Sequence, residues 1–212
     1  MSAFPLPIQV ETLHLGPLET NCHVAWRDGH AIVVDPGGEP SAVVAFLKEK
    51  NLKLDRILVT HMHFDHVLGC AELKRLTDVD IWSPKGDEVL MTMDIGSGGM
   101  MGLPRVEPFE RTLIEPGTFE LLGQPCHALH TPGHSQGSLS YHFPEAGRLF
   151  CGDVLFYRSI GRSDLYGGDQ AVLEKSIREV IYTLPGATVV HPGHMIDTTV
   201  GDEKAHNPYV RL

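Results

Sequence analysis

The chain has 212 residues, 42% hydrophobic and 21% charged, and its 17 Lys and Arg against 27 Asp and Glu leave a formal charge of −10 with histidines neutral. Such a length and mix describe an ordinary globular protein able to bury its own core, read as a single domain over residues 1–212. The acidity excludes a nucleic-acid partner held by bulk electrostatics, and the absence of a long apolar run argues against a membrane partner.

Ile8 to Leu15 alternates as a strand does. Cys22 to Trp26 and Ala31 to Asp35 read as two more, joined around Asp28-Gly29, a hairpin signal. Asp35-Pro36-Gly37-Gly38 ends this meander in a turn. Pro40 opens a helix with Val43, Val44, Phe46 and Leu47 on one face, and Asn51 stops it. Arg56 to Val59 is a buried strand, and Val67 to Leu73 starts a helix. Val79 to Trp82 is a short strand and Asp87 to Met93 is helical. Ile95 to Pro104 is rich in Gly and Met. It reads as a plain surface loop, with a flap whose methionines face substrate as the alternative. From Thr112 to Cys151 the pattern is β again, broken by Pro116-Gly117, Gly123, Pro132-Gly133 and Gly147. Asp169 caps an amphipathic helix with Leu173, Ile177, Val180, Ile181 and Leu184 on its buried face. Pro185-Gly186 ends it, and Thr188 to Val190 is a last strand. Two runs of meander, helix and strand pack naturally as two facing sheets with helices outside.

Between Val59 and Val67 lies Thr60-His61-Met62-His63-Phe64-Asp65-His66. A lone histidine is usually a surface or satisfied core residue; four candidate ligands in six positions are harder to dismiss. One extended segment with this spacing can aim side chains at two nearby points. Imidazole nitrogen with carboxylate oxygen is the ligand set of zinc, and also of iron or manganese. Three further candidates each sit just past a strand and beside glycine: His134 in Thr131-Pro132-Gly133-His134-Ser135, Asp153 in Cys151-Gly152-Asp153, and His194 in His191-Pro192-Gly193-His194. Loops of that kind bring side chains to one edge of a sheet.

These four motifs, in this order, resemble the metallo-β-lactamase-fold hydrolases over nearly the whole chain. The resemblance implies an α/β fold, a four-layer αββα sandwich with a metal site at one edge of the sheets. It also implies two divalent ions, zinc first and iron or manganese as alternatives. His61, His63 and His134 would hold one ion, Asp65, His66 and His194 the other, and Asp153 would bridge them. The nucleophile would be a shared hydroxide, attended by Asp65 and Asp153. An aspartate at position 153, where secreted β-lactamases often place cysteine, disfavours antibiotic hydrolysis. The stretch Ser159 to Leu165 with Gly167-Gly168-Asp169 is similar to the glyoxalase II group. There Arg162, and Arg158 less directly, would meet a carboxylate of glutathione. The expected substrate is therefore a small thioester, glutathione-linked, such as S-D-lactoylglutathione. The expected form is a short one without the group's C-terminal helical domain. Met195, Ser135 and His23 depart from the group's usual glycine, threonine and tyrosine.

The first rival is a glutathione persulfide dioxygenase with one non-haem iron on His61, His134 and Asp153. A lactonase, a phosphodiesterase and a non-catalytic binding module on the same fold are further alternatives. His130 and His191 read as structural or as support for the ligands. Cys22, Cys70, Cys126 and Cys151 form no C-x-x-C pair and read as buried free thiols, and the N-terminus lacks the marks of a signal peptide. Both place the chain in the cytoplasm as an expectation.

Overall fold

The computed structural model of the chain describes residues 7–99 and 102–211. Strands β1 (Gln9–Leu15), β2 (Thr20–Arg27) and β3 (His30–Val34) form an antiparallel meander. Asp28 at φ 51° and Gly29 at φ 81° make its second turn, the left-handed pair whose twist matches that of the flanking strands. Helix α1 (Ser41–Glu49) then crosses to β4 (Lys53–Leu58), which lies parallel to β3. Two helices follow, α2 (Phe64–Val67) and α3 (Cys70–Thr77), and then β5 (Ile81–Pro84). A 3₁₀ stretch, Lys85–Thr92, leads through the short helix α4 (Asp94–Ser97) to β6 (Thr112–Ile114). The first sheet runs in the order β1-β2-β3-β4-β5-β6.

The second half repeats the plan. Strands β7 (Gly117–Leu121), β8 (Gln124–His130), β9 (Leu139–Phe143) and β10 (Arg148–Gly152) form a second antiparallel meander. A small hairpin, β11 (Leu155–Phe156) and β12 (Ser159–Ile160), precedes helix α5 (Gln170–Glu179). Strand β13 (Val189–Pro192) returns parallel to β10, and β14 (Thr198–Thr199) and helix α6 (Val200–His206) follow. This sheet runs β14-β13-β10-β9-β8-β7.

Alternation along the strands builds three apolar layers, because successive side chains point to opposite faces. Val24, Val33 and Ile57 pack outward against Val43, Leu47 and Leu73 of α1 and α3. Their neighbours Ala25, Ile32 and Leu58 point inward against Ala128, Tyr141 and Phe150 of the second sheet. Leu149, Cys151 and Val190 face Leu173 and Ile177 of α5. The result is the αββα sandwich. All four cysteines are buried and free, and among the described residues no helix is long and apolar enough to cross a membrane.

Local expectations shift in several places. Asp169 caps α5 by accepting from the Val172 amide at 3.0 Å, but the helix ends at Glu179 and Ile181–Thr183 is a 3₁₀ turn. There the Leu184 amide reaches the Ile181 carbonyl at 3.1 Å, which satisfies a helix-end acceptor by tightening. The strand expected over Thr188 to Val190 runs instead from Val189 to Pro192, and it is not the last, because β14 follows and pairs with it. Asp65 and His66 lie on a helical turn rather than an extended segment. Within the Gly- and Met-rich stretch, Ile95 to Ser97 belong to α4, and Gly98 bridges to Arg105. Met100 and Met101, on which the flap expectation rests, lie outside the described residues.

Candidate metal centre

The C-terminal ends of β3, β4, β8, β10 and β13 converge on one edge of the sandwich. Two backbone bonds close that edge between the sheets, from Leu139 N–H to the Thr60 carbonyl at 2.8 Å and from Asn21 N–H to the Gly193 carbonyl at 2.7 Å. After β4 the chain bends at Thr60 and His61, is extended at His63 and then turns into α2, so His61 and His63 project from the connecting loop and Asp65 and His66 from the first helical turn. His134 comes from the loop after β8, Asp153 from the residue after β10, and His194 from just beyond β13.

All seven expected side chains meet there. His134 Nε2 lies 3.1 Å from His61 Nε2 and 2.9 Å from His63 Nδ1. His194 Nε2 lies 3.3 Å from Asp65 Oδ2, and His66 Nε2 lies 3.5 Å from the same oxygen. Asp153 stands between the two trios: Oδ1 is 3.4 Å from His66 Nε2, while Oδ2 is 3.6 Å from His134 Nε2 and 3.7 Å from His194 Nε2. Each trio, and the set His61, His66 and Asp153, converges tightly enough to hold a metal ion. His66 Nε2 and Asp153 Oδ1 are buried without a hydrogen-bond partner, a costly arrangement unless something else satisfies them. Zn–N bonds of about 2.0–2.1 Å in a tetrahedron set nitrogens roughly 3.4 Å apart, close to the spacing of the first trio. The donor set and the orphaned atoms therefore fit divalent cations.

The electrostatics differ between trios. Burial, with neighbouring His66, His63 and His134, holds His61 well below the ordinary imidazole range. Burial and His134 lower His63 to about 3. These rings stay neutral at physiological pH, the form in which a histidine can bind a metal. Burial also works against charge on His66, but Asp153, Asp65 and Asp35 outweigh it and raise its pKa well above the usual value. For Asp153, burial is overcome by His66, whose Nε2 lies 3.4 Å away, and by His134 and His194, and the carboxyl is held far below its ordinary range. Asp65 is likewise lowered, against burial, by His66 and His194.

Supporting groups fix the ligands. Asp35, in left-handed conformation at φ 52°, accepts from Thr60 N–H at 2.7 Å and Thr60 Oγ1 at 2.6 Å, and it meets His66 Nδ1 at 2.9 Å. Thr60 Oγ1 also sits 3.1 Å from His61 Nδ1. His134 Nδ1 donates to the Arg162 carbonyl at 2.7 Å, and Thr20 Oγ1 donates to Asp65 at 3.3 Å. Asn21 Nδ2 holds the His194 loop through the carbonyls of Pro192 and Met195, at 3.0 and 2.8 Å. Gly193 has a steric reason: a Cβ there would strike Asp153 Oδ1 and His66. Sequence reasoning alone does not single out these supporting side chains. Asp35 carries a local signal, an aspartate closing a strand before Pro-Gly-Gly; Thr20 and Asn21 carry none.

Of the two arginines expected at substrate, Arg162 is exposed and pairs with Asp164 through two bonds of 2.7 and 2.8 Å. Arg158 is committed to Asp202 and to the fully buried Glu203, at 2.8 and 2.9 Å. His191 is buried, stacks on Phe150 with centroids 4.8 Å apart and meets Asp197 at 2.9 Å, a supporting place rather than a ligand's. His130 bonds the Gln136 carbonyl at 3.0 Å.

Comparison with known proteins agrees with this geometry. The family described as Metallo-beta-lactamase superfamily matches residues 15–194. The probable metallo-hydrolase YqgX of Bacillus subtilis (strain 168) is 38% identical over 200 residues, covering 92% of this chain and 94% of that protein. Hydroxyacylglutathione hydrolase GloC of Haemophilus influenzae is 34% identical over 208 residues, covering 96% and 98%. Among solved structures, the BLEG-1 B3 metallo-beta-lactamase superposes with a TM-score of 0.88 at 35% identity, covering 95% of this chain and 99% of that one. TTHA1623 in a di-iron-bound form gives 0.83 at 33% identity, covering 98% and 100%. ETHE1 from Myxococcus xanthus gives 0.75 at 25% identity, covering 94% and 83%. With its seven converging histidine and aspartate side chains and its two-sheet frame, this chain belongs to the metallo-beta-lactamase superfamily.

Proposed function

We propose that this protein is a binuclear metal-dependent hydrolase of thioesters, acting on acylglutathiones such as S-D-lactoylglutathione. The observation that carries the reading is Asp153: it stands between the trios, with Oδ2 3.6 Å from His134 of one and 3.7 Å from His194 of the other, where a carboxylate shared by two cations would sit. The similarity to GloC over nearly the full length of both chains supports the substrate class. In this reading His61, His63 and His134 hold one ion, Asp65, His66 and His194 hold the second, and Asp153 bridges. Zinc is the first choice, and iron or manganese suits the same donors.

Bound divalent ions would polarise an acyl carbonyl and bring the pKa of water near neutrality. The chain's own residues supply the rest. Neutral His61 and His63 need no proton removed before they bind. Asp65 and Asp153, ionised, set negative charge beside the second trio and between the two. The loop carrying Arg162 borders His134, so its guanidinium can take a substrate carboxylate in place of Asp164. Arg158, already paired on two sides, is the weaker candidate for that contact. Hydrolysis adds water across the C–S bond and yields a carboxylic acid and a thiol.

A second reading has its own observation. His61, His134 and Asp153 alone make a two-histidine, one-carboxylate set, and ETHE1 shares the fold; that set suits a single iron in a persulfide dioxygenase. The deciding experiment measures zinc and iron in the purified protein and assays S-D-lactoylglutathione without oxygen. Two metals per chain and anaerobic hydrolysis are expected. One iron, no anaerobic turnover and oxygen uptake on glutathione persulfide would replace the proposal with the dioxygenase. Faster turnover of a β-lactam such as nitrocefin would replace it with a lactamase.

A further inference from the structure

Asp87 lies outside the seven-ligand set, on the 3₁₀ stretch Lys85–Thr92, and is fully buried. Its carboxylate takes three donors. Met62 N–H reaches Oδ2 at 3.1 Å, Ser135 Oγ reaches the same oxygen at 2.7 Å, and Gly137 N–H reaches Oδ1 at 2.7 Å. Met62 stands between His61 and His63, and Ser135 directly follows His134. One carboxylate therefore stitches together the two backbone segments, from opposite sheets, that carry the whole first trio. The seat is tight: a Cβ on Gly137 would run into Asp87, which leaves no room for the loop to reseat itself.

Burial pushes the Asp87 carboxyl up, while Ser135, Met62 and Gly137 pull it back. A buried acid is a costly filler for a core, where an apolar side chain would serve. Its three bonds all end within one residue of, or three residues beyond, a first-trio ligand. The second trio is served separately, by Asp35 on His66, Thr20 on Asp65 and Asn21 on the His194 loop.

We propose that Asp87 is a positioning residue that sets the geometry of the His61, His63 and His134 metal position, and that it acts selectively on that position. The inference rests on the reading that this trio holds an ion. Neutral asparagine cannot replace the carboxylate. Whichever way its amide points, its NH₂ group opposes a backbone N–H, of Met62 or of Gly137, and leaves it without an acceptor. Supporting groups of this kind typically contribute about 10- to 100-fold to metal affinity.

The test uses the full chain stripped of metal, as wild type, Asp87→Asn and Ser135→Ala. Each is titrated with Co(II), with visible absorption and calorimetry as readouts and thermal melting of the stripped forms as a control. His61→Ala and His194→Ala mark which absorption band belongs to which position. Asp87→Asn is expected to bind at the first position about 10- to 100-fold more weakly with an altered band, and to keep wild-type affinity at the second. Ser135→Ala should show the same selectivity with a smaller loss. Wild-type affinity and spectrum at both positions in Asp87→Asn would overturn the proposal. So would equal weakening of both positions in step with a lowered melting temperature, which marks a purely structural tie. If Asp87→Asn fails to fold, Ser135→Ala decides by the same selectivity. A wild type that takes up no Co(II) on the first trio would overturn the metal reading, and this inference with it.

Discussion

The two halves of the sandwich supply the candidate centre in opposite ways. The first half sends four side chains, His61, His63, Asp65 and His66, from one stretch of six residues after β4. The second half sends His134, Asp153 and His194 from three separate loops. Neither half holds a complete trio: His134 completes one and His194 the other. The local stretch makes the site cheap to encode, while the distant loops make it conditional on the sheets being docked. Metal binding should thus be coupled to sandwich assembly.

The hardest blow to that arrangement is at the shared ligand. Asp153→Asn removes the carboxylate that faces both trios, and should lower activity by on the order of 10³-fold, since metal polarisation is worth several kcal/mol. Steady-state kinetics with elemental analysis checks it. Retention of both ions with near-normal turnover would show that the two positions do not depend on a common bridge.

Next in size is an effect of pH on the metal-stripped protein, where burial and the charged neighbours of each histidine, drawn from both halves, set its charge. His134 faces His63, whereas Asp153 faces His66. For His61 and His63 the folded pKa is depressed, so the unfolded chain binds more protons as pH falls below about 6.5, for His63 down to about 3. Their contribution is present above pH 6.5 and is lost as pH falls through that window. His66 has the opposite sign: its folded pKa is raised, so its contribution is full below about 6.5 and is lost as pH rises through the folded value. Thermal melts from pH 4 to 9 should show stability falling at both ends, by up to a few kcal/mol at the acid end. Imidazole NMR should show His63 not titrating between pH 5 and 8. If His63 and His66 both titrate near 6.5, the contrast is absent.

The smallest effect concerns a single tie of a distant loop. Asn21→Ala frees the carbonyls of Pro192 and Met195 and leaves His194 less constrained. Affinity at the Asp65, His66 and His194 position should drop about 10- to 100-fold, roughly 1.4–2.7 kcal/mol, with the first trio unchanged. Calorimetric metal titration reads it, and a loss shared equally by both positions would mean that Asn21 holds the sheets together rather than the loop.

Much of the molecule is legible in the amino-acid sequence by itself. Strands and helices follow from apolar periodicity, and the hairpin at Asp28-Gly29 from local turn chemistry. The seven candidate ligands stand out because they fall in motifs past strand ends, whose order carries a family resemblance. These signals are short-range, so they survive in one dimension. What only the tertiary structure decided is long-range. Asp87 reaches Met62 and Ser135 across 25 and 48 residues, and Asn21 reaches Met195 across 174. No periodicity or turn rule links such positions, because their contact exists only once separate strands and sheets have come together. Arg158 makes the same point: its charge is visible in the sequence, but its partner Glu203, 45 residues away, is not. A chain states which groups it carries near each strand end; the fold decides which of them meet, since burial and hydrogen bonding are settled between segments rather than within them.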